Sequence, residues 1–256
     1  MMYVQREDCA KGWLRPLCLV LSLAASIPSL ASAATIAVDI GHSPDRPGAM
    51  SARGRPEFDF NRDLARVAAA ALERVGFRVR LINELGDIGG LEARPAAATG
   101  ADFFLSLHHD AVQPQYLDTW EVEGVRRSYC DRFSGFSLFV SRSNPELAKS
   151  QACASALGAA LRGAGWAPSL YHAEPIPGEN RPFADAENGV HYFDDLVVLK
   201  RATMPAVLLE AGVIVNRQEE LMLADTVVRN KIATAIAEGL AHCLGPTTGS
   251  THPNAP

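Results

Sequence analysis

Residues 101–110 constrain the fold most strongly, because an apolar run of strand length ends abruptly in His108, His109 and Asp110. A run this rich in Phe and Leu is typical of a strand that is buried on both faces. Polar side chains at its carboxyl end would then emerge at the edge of the sheet where open α/β sheets bind their ligands. In isolation, this sequence would more often give one hydrogen-bonded core histidine and one surface histidine. The interpretation therefore depends on how other strands end.

Two more apolar runs end in the same way. Residues 35–39 are followed by Gly41 and His42, and residues 205–209 are followed by Glu210 and Gly212. Apolar residues at helical spacing separate these runs, so strands and helices alternate along the chain. This alternation predicts one α/β domain with a mostly parallel or mixed central sheet flanked by helices.

The remaining elements follow from periodicity and from glycine or proline breaks. A helix is predicted from about Glu57 until Gly76 stops it, and Glu57 alone would fit the acidic first turn of that helix. We expect residues 112–133 to make an excursion over the sheet edge and residues 165–195 to form a long functional loop. Further strands are predicted at 78–82, 136–140 and 196–199, and further helices at 91–99, 146–161, 216–223 and 226–244.

Residues 1–33 have the pattern of a secretory signal peptide. Arg6, Lys11 and Arg15 precede a short apolar stretch, and Ala31 and Ala33 match the small residues that signal peptidase recognises. We expect cleavage after Ala33, a catalytic domain over residues 34–245 and a disordered tail over 246–256. An uncleaved N-terminal anchor is the alternative for the first segment. The mature protein should be exported, to a periplasm or into the medium, with no further membrane span.

Charge and cysteine content narrow the function. The formal charge is −5 and no block of Lys and Arg is interleaved with aromatic residues, so nucleic-acid binding is not expected. Cys130, Cys153 and Cys243 lie beyond the predicted cleavage site. The sequence contains no CxxC pair, which argues against a thiolate metal site. One disulfide with a leftover thiol and three buried free cysteines are both compatible with this spacing.

The polar strand ends contain the ligand set of a catalytic zinc site, which is two histidines and one carboxylate with a position left open. His42, Glu57 and His108 could bind the metal. Glu210 would stay free as a general base. Asp39 or Asp110 could orient a ligating imidazole through its second nitrogen. Spacing alone is weak support, because no HExxH-type local motif is present.

Four segments in order resemble the zinc-dependent N-acetylmuramoyl-L-alanine amidases of bacterial cell-wall turnover. They are residues 38–42 (Val-Asp-Ile-Gly-His), 56–58 with Asn61, 106–108 (Ser-Leu-His), and 208–212 (Leu-Leu-Glu-Ala-Gly) with Asn216. The resemblance covers about residues 35–244. It implies that one Zn²⁺ is bound by His42, Glu57 and His108, with Glu210 as the catalytic glutamate. It also implies cleavage of the amide between N-acetylmuramic acid and L-alanine of the stem peptide.

The chain departs from this family at several positions. Ser43-Pro44-Asp45 replaces the usual glycines, and His109 stands where a small residue is common. His109 could be an alternative ligand, but neighbours in a strand point to opposite faces, so we expect it to contact substrate or to be exposed. Residues 165–195 fall where relatives carry a regulatory insertion. Glu174 or Glu179 could gate the site, or the segment could only bind substrate. Arg181 and Arg201 could contact stem-peptide carboxylates, although a solvated surface position is the more common outcome for each singly.

The leading hypothesis is therefore a monomeric, exported zinc amidase that acts on peptidoglycan or muropeptides, with a protein activator as a further partner. A zinc peptidase or carboxypeptidase that trims stem peptides is the main alternative. A non-catalytic wall-binding protein is the third, but it would have no use for an unligated Glu210.

Overall fold

The computed structural model describes Met1 and residues 33–245. Residues 2–32 of the predicted signal peptide and the whole predicted C-terminal tail, residues 246–256, lie outside the described residues. No helix within the described part is long and apolar enough to span a bilayer.

A seven-stranded mixed sheet forms the centre of the domain, as the sequence predicts. Its strands are β1 (Thr35–Ile40), β2 (Arg78–Ile82), β3 (Phe103–Asp110), β6 (Ser137–Val140), β7 (Phe183–Asp185), β8 (Val190–Tyr192) and β9 (Ala206–Val213). Their order is β2-β1-β3-β9-β6-β8-β7. The first four strands in this order are parallel, whereas β6 is antiparallel to β9 and β7 is antiparallel to β8.

The three strands with polar ends are neighbours in this sheet. In β1, β3 and β9 the apolar side chains of both faces are buried, which explains their unbroken apolar sequences. Because the strands are parallel, their carboxyl ends meet at one edge. Ile40 pairs with Leu107, and His108 pairs with Glu210. Residues distant in sequence are thereby brought together.

Helices cover both faces of the sheet. The first face packs on α1 (Glu57–Arg74), α3 (Leu147–Gly163) and α6 (Thr226–Leu244). The opposite face carries α4 (Val197–Lys200) and Ala98, which directly follows the short α2 (Ala93–Ala97). Helix α5 (Glu219–Ala224) follows β9. A disulfide between Cys153 and Cys243 joins α3 to α6, and Cys130 is a buried free thiol. Of the two arrangements that the sequence left open for these three cysteines, the structure thus has the one with a disulfide and a leftover thiol.

Three segments differ from expectation. The strand predicted at 196–199 is wrong, because these residues begin α4, in which Val198 and Leu199 pack on the sheet face. A short apolar run cannot distinguish a buried strand from a buried helical turn. The 165–195 segment is not simply a loop, since it contributes β7 and β8 to the sheet. The 112–133 excursion contains a separate hairpin of β4 (Asp118–Val122) and β5 (Val125–Tyr129).

Candidate metal centre and active site

Three side chains converge at the carboxyl edge of the sheet. His42 follows β1, Glu57 is the first residue of α1, and His108 lies near the carboxyl end of β3. The Nε2 atom of His42 lies 3.0 Å from Oε2 of Glu57, and Nδ1 of His108 lies 3.0 Å from Oε1 of the same carboxylate. One ligand atom from each residue lies within 4.8 Å of the others.

The backbone of His42 has a conformation that non-glycine residues rarely adopt. Its φ of 69° is left-handed and costs on the order of 1 kcal/mol or more. Two side chains hold this turn through the carbonyl oxygen of His42: Asn83 donates from Nδ2 at 2.7 Å, and Arg94 donates from Nη2 at 3.1 Å. The strain therefore aims the His42 imidazole at Glu57 and is stabilised by buried neighbours.

Two glycines leave the space that the ligands occupy. A Cβ at Gly41 would lie 2.4 Å from the ring of His108. A Cβ at Gly48 would lie 2.2 Å from Oε2 of Glu57 and 2.7 Å from the ring of His42, and Gly48 also has a φ of +77°. Side chains at either position would displace a metal-ligand candidate.

Glu57 is held by several donors besides the histidines. The backbone N–H groups of Ala49 and His109 donate to its two oxygens at 3.0 and 3.3 Å, and Asn61 donates from Nδ2 at 3.1 Å. Burial alone would raise the pKa of this carboxyl. The hydrogen bonds with His108 and His42 outweigh burial and lower the pKa well below its usual range. Glu57 is thus an ionised carboxylate with fixed orientation.

This donor set fits a zinc ion. Two imidazole nitrogens and one carboxylate are common ligands of catalytic zinc, and the ligand atoms of a tetrahedral site are separated by roughly 3.3 Å. The observed separations of 3.0 Å from Glu57 to each histidine are close to that value. The side chain of His42 is 32% exposed and that of Glu57 is 5% exposed, so the site opens to solvent on the His42 side.

Glu210 lies beside this cluster without belonging to it. It pairs in register with His108 across β3 and β9, and its buried Oε2 atom has no hydrogen-bond partner among the described residues. Burial raises the pKa of Glu210 well above its usual value, and the nearby carboxylates of Asp110 and Glu57 raise it further. A carboxyl group in this environment holds a proton more readily than an exposed one, which suits a group that accepts and then releases a proton.

Comparison with known proteins places the chain in a family. The sequence model of the N-acetylmuramoyl-L-alanine amidase family matches residues 36–242, nearly all of the described domain. The chain belongs to this family. The family predicted from the four motifs is therefore confirmed, as is the mixed α/β fold.

Individual relatives in the amidase family match this chain over a short segment or at low sequence identity. A 44-residue segment, 17% of this chain, is 52% identical to the N-acetylmuramoyl-L-alanine amidase AmiA of Salmonella typhimurium and spans 15% of that protein's length. The amidase structure from Mycobacterium smegmatis superposes with a TM-score of 0.64 at 22% identity, covering 83% of this chain and 98% of that one. The CwlD amidase of Clostridioides difficile, solved in complex with the GerS lipoprotein, gives 0.60 at 22% identity and covers 82% and 98%. These two structures support the fold.

The carboxylates predicted to orient ligating imidazoles have other partners in this amidase fold. Asp39 is fully buried and accepts a hydrogen bond from Oγ of Ser106 at 2.6 Å, and it lies 3.6 Å from Nη1 of Arg94. Asp110 pairs with Nε2 of His172 at 2.8 Å. Within the described residues, neither carboxylate hydrogen-bonds to His42 or His108. Asp39 instead acts through Arg94, which holds the carbonyl of His42.

His109 is buried, so the exposed position considered from the sequence does not apply. Its Nδ1 lies 2.7 Å from Oδ1 of Asn61, and burial lowers the pKa of the imidazole to about 3. A neutral His109 can donate from Nδ1 to Asn61. This hydrogen bond orients the amide group of Asn61, whose Nδ2 then donates to Glu57.

The 165–195 segment is attached to the sheet edge by a buried ion-pair cluster. His172 lies between Asp110 and Glu179, with 2.8 Å to each carboxylate. Burial would lower the pKa of His172, but the two carboxylates outweigh it and raise the pKa to about 9. Glu179 therefore pairs with His172, and Glu174 pairs with Arg132. Neither belongs to the metal-ligand cluster, and the gating role predicted for them stays a prediction.

The two arginines predicted to contact substrate differ in environment. Arg181 donates from Nη2 to the carbonyl of Gly178 and stacks over the ring of Phe193, whereas Arg201 is exposed and pairs with Glu92. Sequence reasoning assigned no role to Asn83, Arg94 or His172. Of these, Asn83 directly follows β2, so the search for polar residues after strands could have included it.

Proposed function

We propose that this chain is a zinc-dependent N-acetylmuramoyl-L-alanine amidase that hydrolyses the amide between N-acetylmuramic acid and L-alanine in peptidoglycan. One observation supports this most directly: a His-Glu-His cluster beside an unligated, buried carboxyl group at the sheet edge, in a chain of this family. His42, Glu57 and His108 would hold the metal.

A zinc ion bound there would lower the pKa of water and polarise the scissile carbonyl group. The chain's own residues supply the remaining functions. Glu57 provides the negative charge, kept in place by Asn61 and by backbone N–H groups. Glu210 would take the proton of the attacking water on Oε2 and pass it to the nitrogen of the leaving L-alanine. Its raised pKa suits the second of these steps, because the group must become a proton donor.

Export to the periplasm or the medium, and activation by a protein partner, are proposed from the sequence and the family. The pairing of the CwlD amidase with a lipoprotein is consistent with a partner-dependent member of the family. The Cys153–Cys243 disulfide agrees with an oxidising compartment, since cytosolic proteins seldom keep disulfides.

The product of the reaction tests the proposal. Purified peptidoglycan is incubated with the protein with and without a chelator, followed by zinc add-back, and the products are identified by mass spectrometry. Free stem peptides that begin at L-alanine, lost with chelator and restored by zinc, are the expected result. Shortened stems still attached to the sugar would instead indicate a peptidase. A lack of any product, with or without added zinc, would favour a binding protein.

Two variants separate metal binding from proton transfer. Glu210→Gln keeps the shape of the side chain and should retain zinc while losing turnover by roughly two to four orders of magnitude, the range for a general acid–base group. His108→Ala should lose zinc and activity together. Substantial turnover by the Glu210→Gln protein would remove Glu210 from the mechanism.

A further inference from the structure

A cleft opens beside the metal centre on the His42 side. Its volume is about 360 Å³, which is within the range of small-molecule pockets. Loop residues that follow β1 form one wall and the turn between β2 and α2 forms the other, so the cleft lies outside the carboxyl ends of two neighbouring strands. His42 itself lines the cleft. The cleft is therefore within reach of a substrate whose carbonyl lies at the metal centre.

The lining of the cleft is charged. Arg94 lies in the inner wall and is fully engaged in structure, because it binds the carbonyl of His42 and lies near Asp39. Arg46, Asp45 and Asp87 are exposed, and among the described residues none of the three has an ion-pair partner. Among the described residues that line the cleft, one cation and two anions are thus without an ion-pair partner. Such a lining suits a ligand that carries both signs of charge.

The backbone of Arg46 is fixed before any ligand arrives. Arg46 and Ser43 exchange two backbone hydrogen bonds of 3.1 Å, and Oγ of Ser43 also accepts from the N–H of Arg46. A side chain on an ordered turn loses less entropy on binding than one on an unstructured loop. The Cα of Arg46 is therefore held at the mouth of the cleft, with its guanidinium within side-chain reach of a ligand there.

On the proposed function, the scissile bond has two chemically different sides. The acetylated sugar is uncharged, whereas the stem peptide carries carboxylates and, at a diamino acid, an ammonium group. We propose that the cleft binds the stem peptide and that Arg46 contacts the free carboxylate of its second residue, D-glutamate. This inference rests on the proposed function. It assigns the side of the metal centre on which the peptide lies and a residue that determines specificity.

Two substrates that differ in a single charge test the assignment. They are muramoyl-L-alanyl-D-glutamate and muramoyl-L-alanyl-D-isoglutamine. In the second, the α-carboxylate, which is the one left free in the stem peptide, is a neutral amide, and the γ-carboxylate is the same in both. Arg46→Ala should raise KM for the acid by roughly five- to tenfold, the range for a partly exposed charge-assisted contact, and change KM for the amide by less than about twofold. The value of kcat and the zinc content should stay close to those of the unmodified protein.

A charge reversal and a matched control complete the design. Arg46→Glu should raise KM for the acid further. Arg74→Glu, at the exposed end of α1 and outside the cleft, should change KM for neither substrate. Equal losses on acid and amide, or no loss on either, would overturn the assignment.

A binding measurement keeps this test independent of cleavage. Calorimetric titration of the zinc-loaded protein with L-alanyl-D-glutamate and with its amide reports on the cleft even if neither muramoyl substrate is hydrolysed. Absence of cleavage alone would refute the proposed function. Binding of the acid that is weaker in Arg46→Glu than in the unmodified protein would support the cleft, and equal binding by the two proteins would overturn it.

Discussion

Gly48 offers a sharp test of the metal centre because it touches two metal-ligand candidates without being one. The Gly48→Ala methyl group would lie 2.2 Å from Oε2 of Glu57, and a separation of at least 3.0 Å is needed for any real contact. Either the carboxylate or the loop must therefore move by roughly 1 Å. Metal–ligand distances tolerate about 0.2 Å, so this shift should weaken zinc binding by roughly 10- to 100-fold, or about 1.4–2.7 kcal/mol.

Gly100 supplies the matched control. It also has a left-handed backbone, with a φ of +83°, but a Cβ there would meet no atom within 4 Å. Gly100→Ala should therefore share the backbone cost of roughly 1 kcal/mol in unfolding free energy and leave zinc binding unchanged. Zinc dissociation constants are measured by competition with a chromophoric chelator, and unfolding by thermal denaturation without metal. Equal zinc affinities for the two alanine variants would refute the argument that Gly48 makes room for Glu57.

Two further predictions concern stability. Reduction of the Cys153–Cys243 disulfide, whose cysteines are 90 residues apart, should lower the free energy of unfolding by about 4–5 kcal/mol in urea titrations with and without reductant. No change on reduction would argue against that pairing. The pKa of His172 is raised from 6.5 to about 9, so its pairing stabilises the fold fully below pH 6.5 and is lost as pH rises through 9, by roughly 3 kcal/mol in total. His172→Gln should flatten this decline between pH 6.5 and 9.5 relative to the unmodified protein; an unaltered pH dependence would contradict the assignment.

The sequence predicted the sheet strands that matter most for the site because their local signal is strong. Segments buried on both faces show as unbroken apolar runs, and a polar residue at the end of such a run is conspicuous. His42 and His108, two of the three predicted zinc ligands, meet in the structure for this reason, and Glu57 joins them from the start of α1. The weaker signals failed where local sequence is ambiguous, as in residues 197–200, whose apolar residues pack equally well in a helical turn.

Partner choice among polar side chains could not be predicted. Asp39 and Asp110 were expected beside ligating imidazoles, yet they pair with Arg94 and His172. Sequence pattern indicates that a carboxylate lies near a strand end, but the choice between neighbours within about 4 Å depends on register, on a bulge such as the one between His108 and Asp110, and on the rotamers that packing allows.

The sequence by itself determined the three parallel strands with polar ends, the candidate metal ligands and the family to which the chain belongs, because these depend on periodicity and on short local motifs. Only the tertiary structure decided how the active residues are held: the left-handed turn at His42, the spaces at Gly41 and Gly48, the disulfide partner of Cys153 and the charged cleft around Arg46. Each of these depends on contacts between segments that are far apart in the chain. Such contacts are set by packing of the complete fold, and no local pattern encodes them.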